Sequence, residues 1–369
     1  MRAKSEAAPQ RPSASRTTPA AAPPTPAAAA TIARRWTMAA VFLGGLFTFA
    51  FIGMLIFARP VLVPVAASTL LAMTLMPTVN RIRAWGVPHA LAATLVAGAL
   101  AIALVVLAEL LVEPLGKALD AIPALEGLGQ RLWHLARAVI GAPYTDWIST
   151  QLQEAAAHAD WGARLFAGLW EASALALTTA VLTFFLLVSG DLFLQKLVRV
   201  LPRIRDKVKA VKVVNAVQED VSLYLGTVTL INAALGAVAG TISWYWELPA
   251  PLLWAVLVAA FNFVPYVGAV VNVLLLLAAS AATYATLGEI LTPPALFALV
   301  TAIEGHLITP MIVGRRTQLN AVVVVVGLLF WAWVWGIAGL VLAVPLLLVI
   351  KGFAAHIERL EPINEFMGR

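Results

Sequence analysis

The sequence predicts an all-α protein that crosses a membrane many times. Three observations carry this prediction. Hydrophobic residues make up 61% of the chain and charged residues only 12%, with a mean hydropathy of +0.90. Apolar runs recur along the chain at the length of about 20 residues that a helix needs to cross the hydrocarbon core. The cations are bunched rather than spread, whereas a soluble domain carries about 25% charge throughout. The net charge of +6 sits mostly in the N-terminal arm and in segment 196–212. That is the positive-inside pattern, and it favours anionic lipid over nucleic acid as the counterpart of these charges. With no cysteine there is no disulfide, thiolate metal site or thiol nucleophile. The five histidines, His89, His134, His158, His306 and His356, show no HExxH spacing, and neither a GxSxG elbow nor a P-loop occurs. No catalytic residue, metal ligand or cofactor is therefore expected, and the chain does not read as an enzyme. An ATP-driven pump would need a nucleotide site of its own; a secondary transporter would not.

Residues 1–33 are rich in Ala, Pro, Ser and Thr and are expected to be a disordered cytoplasmic tail. Residues 34–112 hold the first three spans: Trp36–Ala58, Val61–Val79 and Leu91–Val112. Glu109 falls within a turn of the third span's end and is expected at headgroup level. Segment 113–171 is amphipathic, with seven acids against four bases, and reads as an extracytoplasmic helical insert. Ala172–Gly190 is a fourth span. Segment 191–222 holds Lys196, Arg199, Arg203, Arg205, Lys207, Lys209 and Lys212, the strongest inside marker in the chain. Leu223–Trp244 is a fifth span, followed by the aromatic belt of Trp244, Tyr245 and Trp246.

Two later runs are interrupted. Leu252–Tyr284 is apolar for 33 residues but contains Asn262-Phe-Val-Pro265-Tyr-Val-Gly268. A straight helix of that length would reach about 50 Å, against a core of about 30 Å. A hairpin that enters and returns fits better; a single tilted helix with a proline kink is the alternative. Asn262 and the freed carbonyls at such a tip suit an ion or a hydroxylated solute. Leu319–Ile350 has the same length problem and is broken by Trp331-Ala-Trp-Val-Trp335-Gly336-Ile-Ala-Gly339. It reads as a second hairpin, entering from the inside, although the tryptophans also suit a membrane interface. Between the two lies the sixth span, Pro294–Pro310. The fold class is thus about six full spans plus two re-entrant or broken hairpins, about eight membrane segments. A span plus a hairpin repeated in opposite sense suggests an inverted repeat, with its breaks meeting near the midplane. Residues 223–350 form the expected transport core, and 351–369 a cytoplasmic tail.

The stretch Glu304-Gly-His306-Leu-Ile-Thr309-Pro310-Met-Ile-Val-Gly314 closes the sixth span. An acid in such a segment is expensive and usually faces a cavity or a partner. Thr309-Pro310 cannot continue an ideal helix. A broken helix at membrane depth survives only where protein or water satisfies the freed backbone groups. The competing reading places Glu304 and His306 at a water-exposed helix end.

The Asn262–Gly268 segment, the Glu304-x4-Thr309-Pro310-x3-Gly314-Arg315 segment and the Phe330–Gly339 to Pro345 run together resemble the AI-2E, or PerM-like, family of transporters. The likeness covers about residues 35–355. The resemblance implies a multi-pass bacterial inner-membrane permease with both termini cytoplasmic, in a family named for export of the quorum-sensing signal autoinducer-2. Some of its members are credited with sodium–proton antiport. Carried over residue by residue, it marks Asn262, Pro265, Gly268, Glu304, Thr309, Pro310, Gly314 and Pro345. His306 joins the candidate site by position alone. Two functions follow: export of a small polar metabolite by alternating access, or cation/proton antiport on Glu304, with Glu109 as a second acid if it lies deep enough. A non-transporting scaffold has no need of broken helices. The first spans and the outer insert are expected to form a scaffold at a homo-oligomer interface.

Overall fold

The computed structural model describes residues 26–120, 161–190, 192–309, 311, 319–355, 361, 365 and 367. Among them there is no strand. The chain divides into two units, Met1–Met54 and Leu55–Arg369. The first unit is occupied by helix α1, Pro26–Phe57, whose last turn passes into the second. Residues 26–33, expected in the tail, are already helical, because Pro26 opens the helix and the alanines after it favour one. From Val41 to Phe49 its large side chains are exposed, the surface of a helix solvated by lipid.

In the second unit, α2 runs Arg59–Ala84 and α3 His89–Asp120. Helix α4 spans Trp161–Ser189, α5 Leu192–Val200 and α6 Ile204–Tyr245. Then come α7, Pro251–Phe261, α8, Val267–Thr283, and α9, Leu287–Ile303. A π-helical turn, Glu304–Ile308, continues α9. The last helix is α10, Ala321–Ala354. Among the described residues seven helices are long and apolar enough to cross a membrane. The chain is an all-α polytopic membrane protein. Residues 121–160 of the expected outer insert lie outside the described residues; its flanks simply extend α3 and α4.

One expected boundary falls inside a helix. The basic segment from Ile204 onward and the fifth span are a single helix of 42 residues, about 63 Å long. Twice the hydrocarbon thickness, it carries its cationic turns well past the membrane. Val213, Val217 and Val221 pack there with Leu70 of α2 and with Val344 and Leu348 of α10.

Both interrupted runs fold back on themselves. In the first, Asn272 Nδ2 of α8 donates to Val258 O of α7 at 3.2 Å. The Tyr284 hydroxyl donates to Trp246 O, which pins the hairpin's base. Helix α7 lies close along α6 because Gly236 and Gly240 leave no side chain in the way. A Cβ on Gly236 would come within 2.4 Å of Ala255 O, and one on Gly240 within 2.9 Å of Ala255 Cβ. Small residues at four-residue spacing are how membrane helices approach closely.

In α10 the break is Gly336, at φ 64° and ψ −140°. A Cβ on Gly327 would sit 2.6 Å from Leu347 Cδ1, although a straight helix would hold these residues about 30 Å apart. Leu328 and Ala343 share one cluster. The legs 321–335 and 337–354 therefore run antiparallel, and the helix is a hairpin. The repeat argument expected the two breaks to meet, and Val264 of the first packs in one cluster with Trp331, the first residue of the second break. Val264, at the first tip, packs with Leu328 and Ala343, on the flank of the second hairpin. Trp335, at the second tip, packs on Val63 and Leu175 and donates its indole N–H to Leu55 O at 3.1 Å.

Candidate functional site

The tip of the first hairpin is built from unusual backbone. Pro265 lacks the donor a helix needs, and α7 stops at Phe261. Val264 N donates to Phe261 O at 3.0 Å and Gly268 N to Val264 O at 2.8 Å. Between them Val267 N donates to Pro265 O at 2.7 Å, across Tyr266 at φ 64° and ψ −50°. This is a γ-turn of the rare, strained hand, on a residue whose side chain resists positive φ. Gly268 has a different task. A Cβ there would fall 2.1 Å from Phe261 O, so only glycine lets the two legs close at the tip.

Asn262 follows the last turn of α7 and donates from Nδ2 to Asn232 Oδ1 on α6 at 2.9 Å. Asn232 is 2% exposed, and its own Nδ2 is buried with no hydrogen-bond partner among the described residues. An unsatisfied buried donor costs about 1–3 kcal/mol. The single bond thus ties the tip to α6 at some expense.

Opposite the tip, α9 passes into its π-turn. Such turns add one residue to a helix and recur at functional sites. Here the turn ends with Thr309 N donating to Glu304 O. The same five-residue spacing brings the Thr309 hydroxyl to the Glu304 carboxylate, to which it donates. Glu304 is 9% exposed. His306 is exposed, with Nδ1 2.9 Å from Ala302 O one turn back.

Between α6, the hairpin and α9 lies a cavity of about 750 Å³. It gathers Asn262, Pro265, Glu304, His306 and Thr309. Gly268 stands behind its wall, as a packing residue. Pro310 and Gly314 lie outside the described residues. Four polar lining residues went unrecognised in the sequence: Tyr224, Asn232, Tyr266 and Thr301. Asn232 had a signal, a lone amide inside the apolar run from Leu223 to Trp244. Tyr224 and Thr301 had none, since one residue in three or four of any span faces inward. Glu109 is exposed on α3 and is not among the cavity's lining residues. No group of three or more His, Asp or Glu side chains placed to hold a metal occurs among the described residues.

Residues 46–359 match the family described as AI-2E family transporter. The chain is 26% identical over 311 residues to the AI-2 transport protein TqsA of Escherichia coli, covering 80% of this chain and 86% of that one. Over 146 residues it is 30% identical to the putative transport protein YrrI of Bacillus subtilis, 39% of this chain and 40% of the relative. A putative transport protein of Borreliella burgdorferi is 26% identical over 192 residues, about half of each chain.

Proposed function

Because the chain belongs to the AI-2E transporter family, we propose that it is a secondary permease of the bacterial inner membrane, exporting a small polar metabolite such as autoinducer-2 by alternating access. That it is a multi-pass membrane transporter follows from its seven apolar helices and its relatives. The observation that carries the finer reading is the cavity, enclosed by a broken hairpin on one side and a π-turn on the other. Most of its wall is apolar, and its polar groups, Asn262, Thr301, Glu304 and Thr309, are few and convergent, as in solute sites generally. The export reading also takes its support from the name of one relative, which is described as an AI-2 transport protein.

In this reading the hairpin is the moving part. Close packing on Gly236 and Gly240 holds α7 along α6. The hairpin's tip slides on the flank of α10 at Val264, Leu328 and Ala343, exposing the cavity to one side and then the other. The basic turns of α6 and the end of α10, where Lys351 lies within electrostatic reach of Asp220, would face the cytoplasm, by the charge rule. The test is efflux of autoinducer-2 entrapped in proteoliposomes. Asn262→Leu keeps the size but removes the amide, and efflux is expected to fall by about tenfold or more, the loss of one buried hydrogen bond and the orphaning of its partner. Efflux no faster than from protein-free vesicles would overturn the export reading.

A second reading, cation/proton antiport, draws on Glu304, the one carboxylate among the cavity's lining residues, with a hydroxyl donor at hand. Collapse of a pH gradient on adding sodium, lithium or potassium, lost in Glu304→Gln, would put this reading first.

A further inference from the structure

The cavity wall is chemically more selective than a small polar solute requires. Among the described residues that line it, Glu304 supplies the one carboxylate and there is no lysine or arginine. Three aromatic rings, Tyr224, Phe263 and Tyr266, stand in the same wall. The imidazole of His306 is engaged with the carbonyl of Ala302 on its own helix. Among the described lining residues no lysine or arginine stands beside the carboxylate to offset its repulsion of an anion. The bond from Asn262 Nδ2 to Asn232 Oδ1 takes up one donor and one acceptor that a neutral polyol would otherwise use. Size points the same way. A metabolite of ten heavy atoms displaces on the order of 300 Å³, taking about a water's 30 Å³ share for each. The cavity holds about 750 Å³, which lies in the range of drug-sized ligands. Aromatic faces and a carboxylate in an apolar surround attract a weakly hydrated organic cation by its charge and by its substituents together.

We propose that this cavity takes amphipathic organic monocations, with an ammonium or phosphonium centre against Glu304 and apolar substituents among Tyr224, Phe263 and Tyr266. The inference rests on the reading of the cavity as the transport site and names a second class of solute for it.

Tetraphenylphosphonium and tetraphenylborate share a shape and differ in sign, so together they separate charge recognition from partition into detergent. Equilibrium dialysis of each against the full-length protein in detergent micelles, corrected with protein-free micelles, reads the difference. Saturable phosphonium binding is expected, roughly tenfold or more weaker in Glu304→Gln and recovered in Glu304→Asp, with no saturable borate binding. Tyr266→Leu keeps the carboxylate and is expected to weaken phosphonium binding severalfold. Equal phosphonium affinity in wild type and a folded Glu304→Gln, or tighter binding of the borate, would overturn the proposal. If Glu304→Gln does not fold, unchanged affinity in Tyr266→Leu overturns it instead. The two readings fail separately. Efflux of autoinducer-2 without phosphonium binding removes the cation class and leaves the permease. Phosphonium binding with no flux of either solute removes the permease and leaves the binding site.

Discussion

Replacing Gly268 by alanine tests the geometry of the hairpin tip most directly. The added Cβ would lie 2.1 Å from Phe261 O, 2.7 Å from Phe261 C and 2.8 Å from Asn262 Cα. All three are backbone atoms and cannot swing away as a side chain would. An ordinary carbon–oxygen contact is about 3.3 Å, so the two legs must part by about 1.2 Å. Forced repacking of this kind costs about 1–3 kcal/mol. The displaced backbone includes Asn262, whose bond to Asn232 is 2.9 Å long and would not survive such a shift. Loss of an interhelical hydrogen bond in a membrane adds about 0.6–1.7 kcal/mol. The expected total is about 2–5 kcal/mol, which should lower the thermal unfolding midpoint by several degrees. The matched control is Gly226→Ala on the exposed side of α6, where an added Cβ meets nothing within 4 Å. That change should be neutral or slightly stabilising. The assay is thermal unfolding in detergent together with solute efflux from proteoliposomes. If Gly268→Ala matches Gly226→Ala in both, the tip is not closed as described and the reasoning fails.

Two other substitutions probe the backbone at the breaks. At Tyr266, where φ is 64°, the Gly variant should be more stable than the Ala variant by about 1–2 kcal/mol, because both lose the ring and only glycine loses the strain. An Ala variant as stable as the Gly one in thermal melts would show that the turn is unstrained. At Gly336, with φ 64° and ψ −140°, alanine should cost about 1–3 kcal/mol from backbone strain alone. An added Cβ there meets only the Arg59 guanidinium, at an ordinary 3.5 Å. Unaltered stability and unaltered protease sensitivity of the 321–354 hairpin would refute the reading of Gly336 as a hinge.

The spans were legible because lipid imposes a simple rule: a helix must be apolar for the whole thickness it crosses. The hairpins were legible by arithmetic, since the runs ending at Tyr284 and Ile350 are too long for one crossing and too short for two. The join between the basic segment and the fifth span was not legible. Charge marks where a helix leaves the membrane, but nothing in Lys209, Lys212 or Glu219 stops the helix from continuing into water, and α6 continues. The contact between the hairpins was not legible either. Pattern supplies the position of each break along its own run, and both breaks carry proline or glycine. Which flank a tip packs against depends on shape, on how Val264 finds Leu328, Ala343 and Trp331 rather than Trp335 beside Gly336.

The site divides along the same line. Glu304 and Asn262 stood out because a polar group among apolar neighbours has to be explained by a partner or a cavity. Thr309 and Pro310 stood out as a break. The π-turn joins these signals. Proline at 310 withholds its N–H from the preceding turn, and residues 304–308 have already widened to i→i+5 bonding, which sets Thr309 beside Glu304 rather than a third of a turn away. Asn232 was open to the same argument as Asn262 and shows why pairs matter more than single residues. Alone, either amide is a polar liability in a span; bonded to one another, they fix the depth at which the first hairpin turns. The aromatic part of the wall has no such signature, since Tyr224 and Phe263 read as ordinary belt or core residues. In this chain the polar half of the cavity is written in residue type. The apolar half exists only once α6, the hairpin and α9 have been brought together, and size and shape selectivity belong to that half.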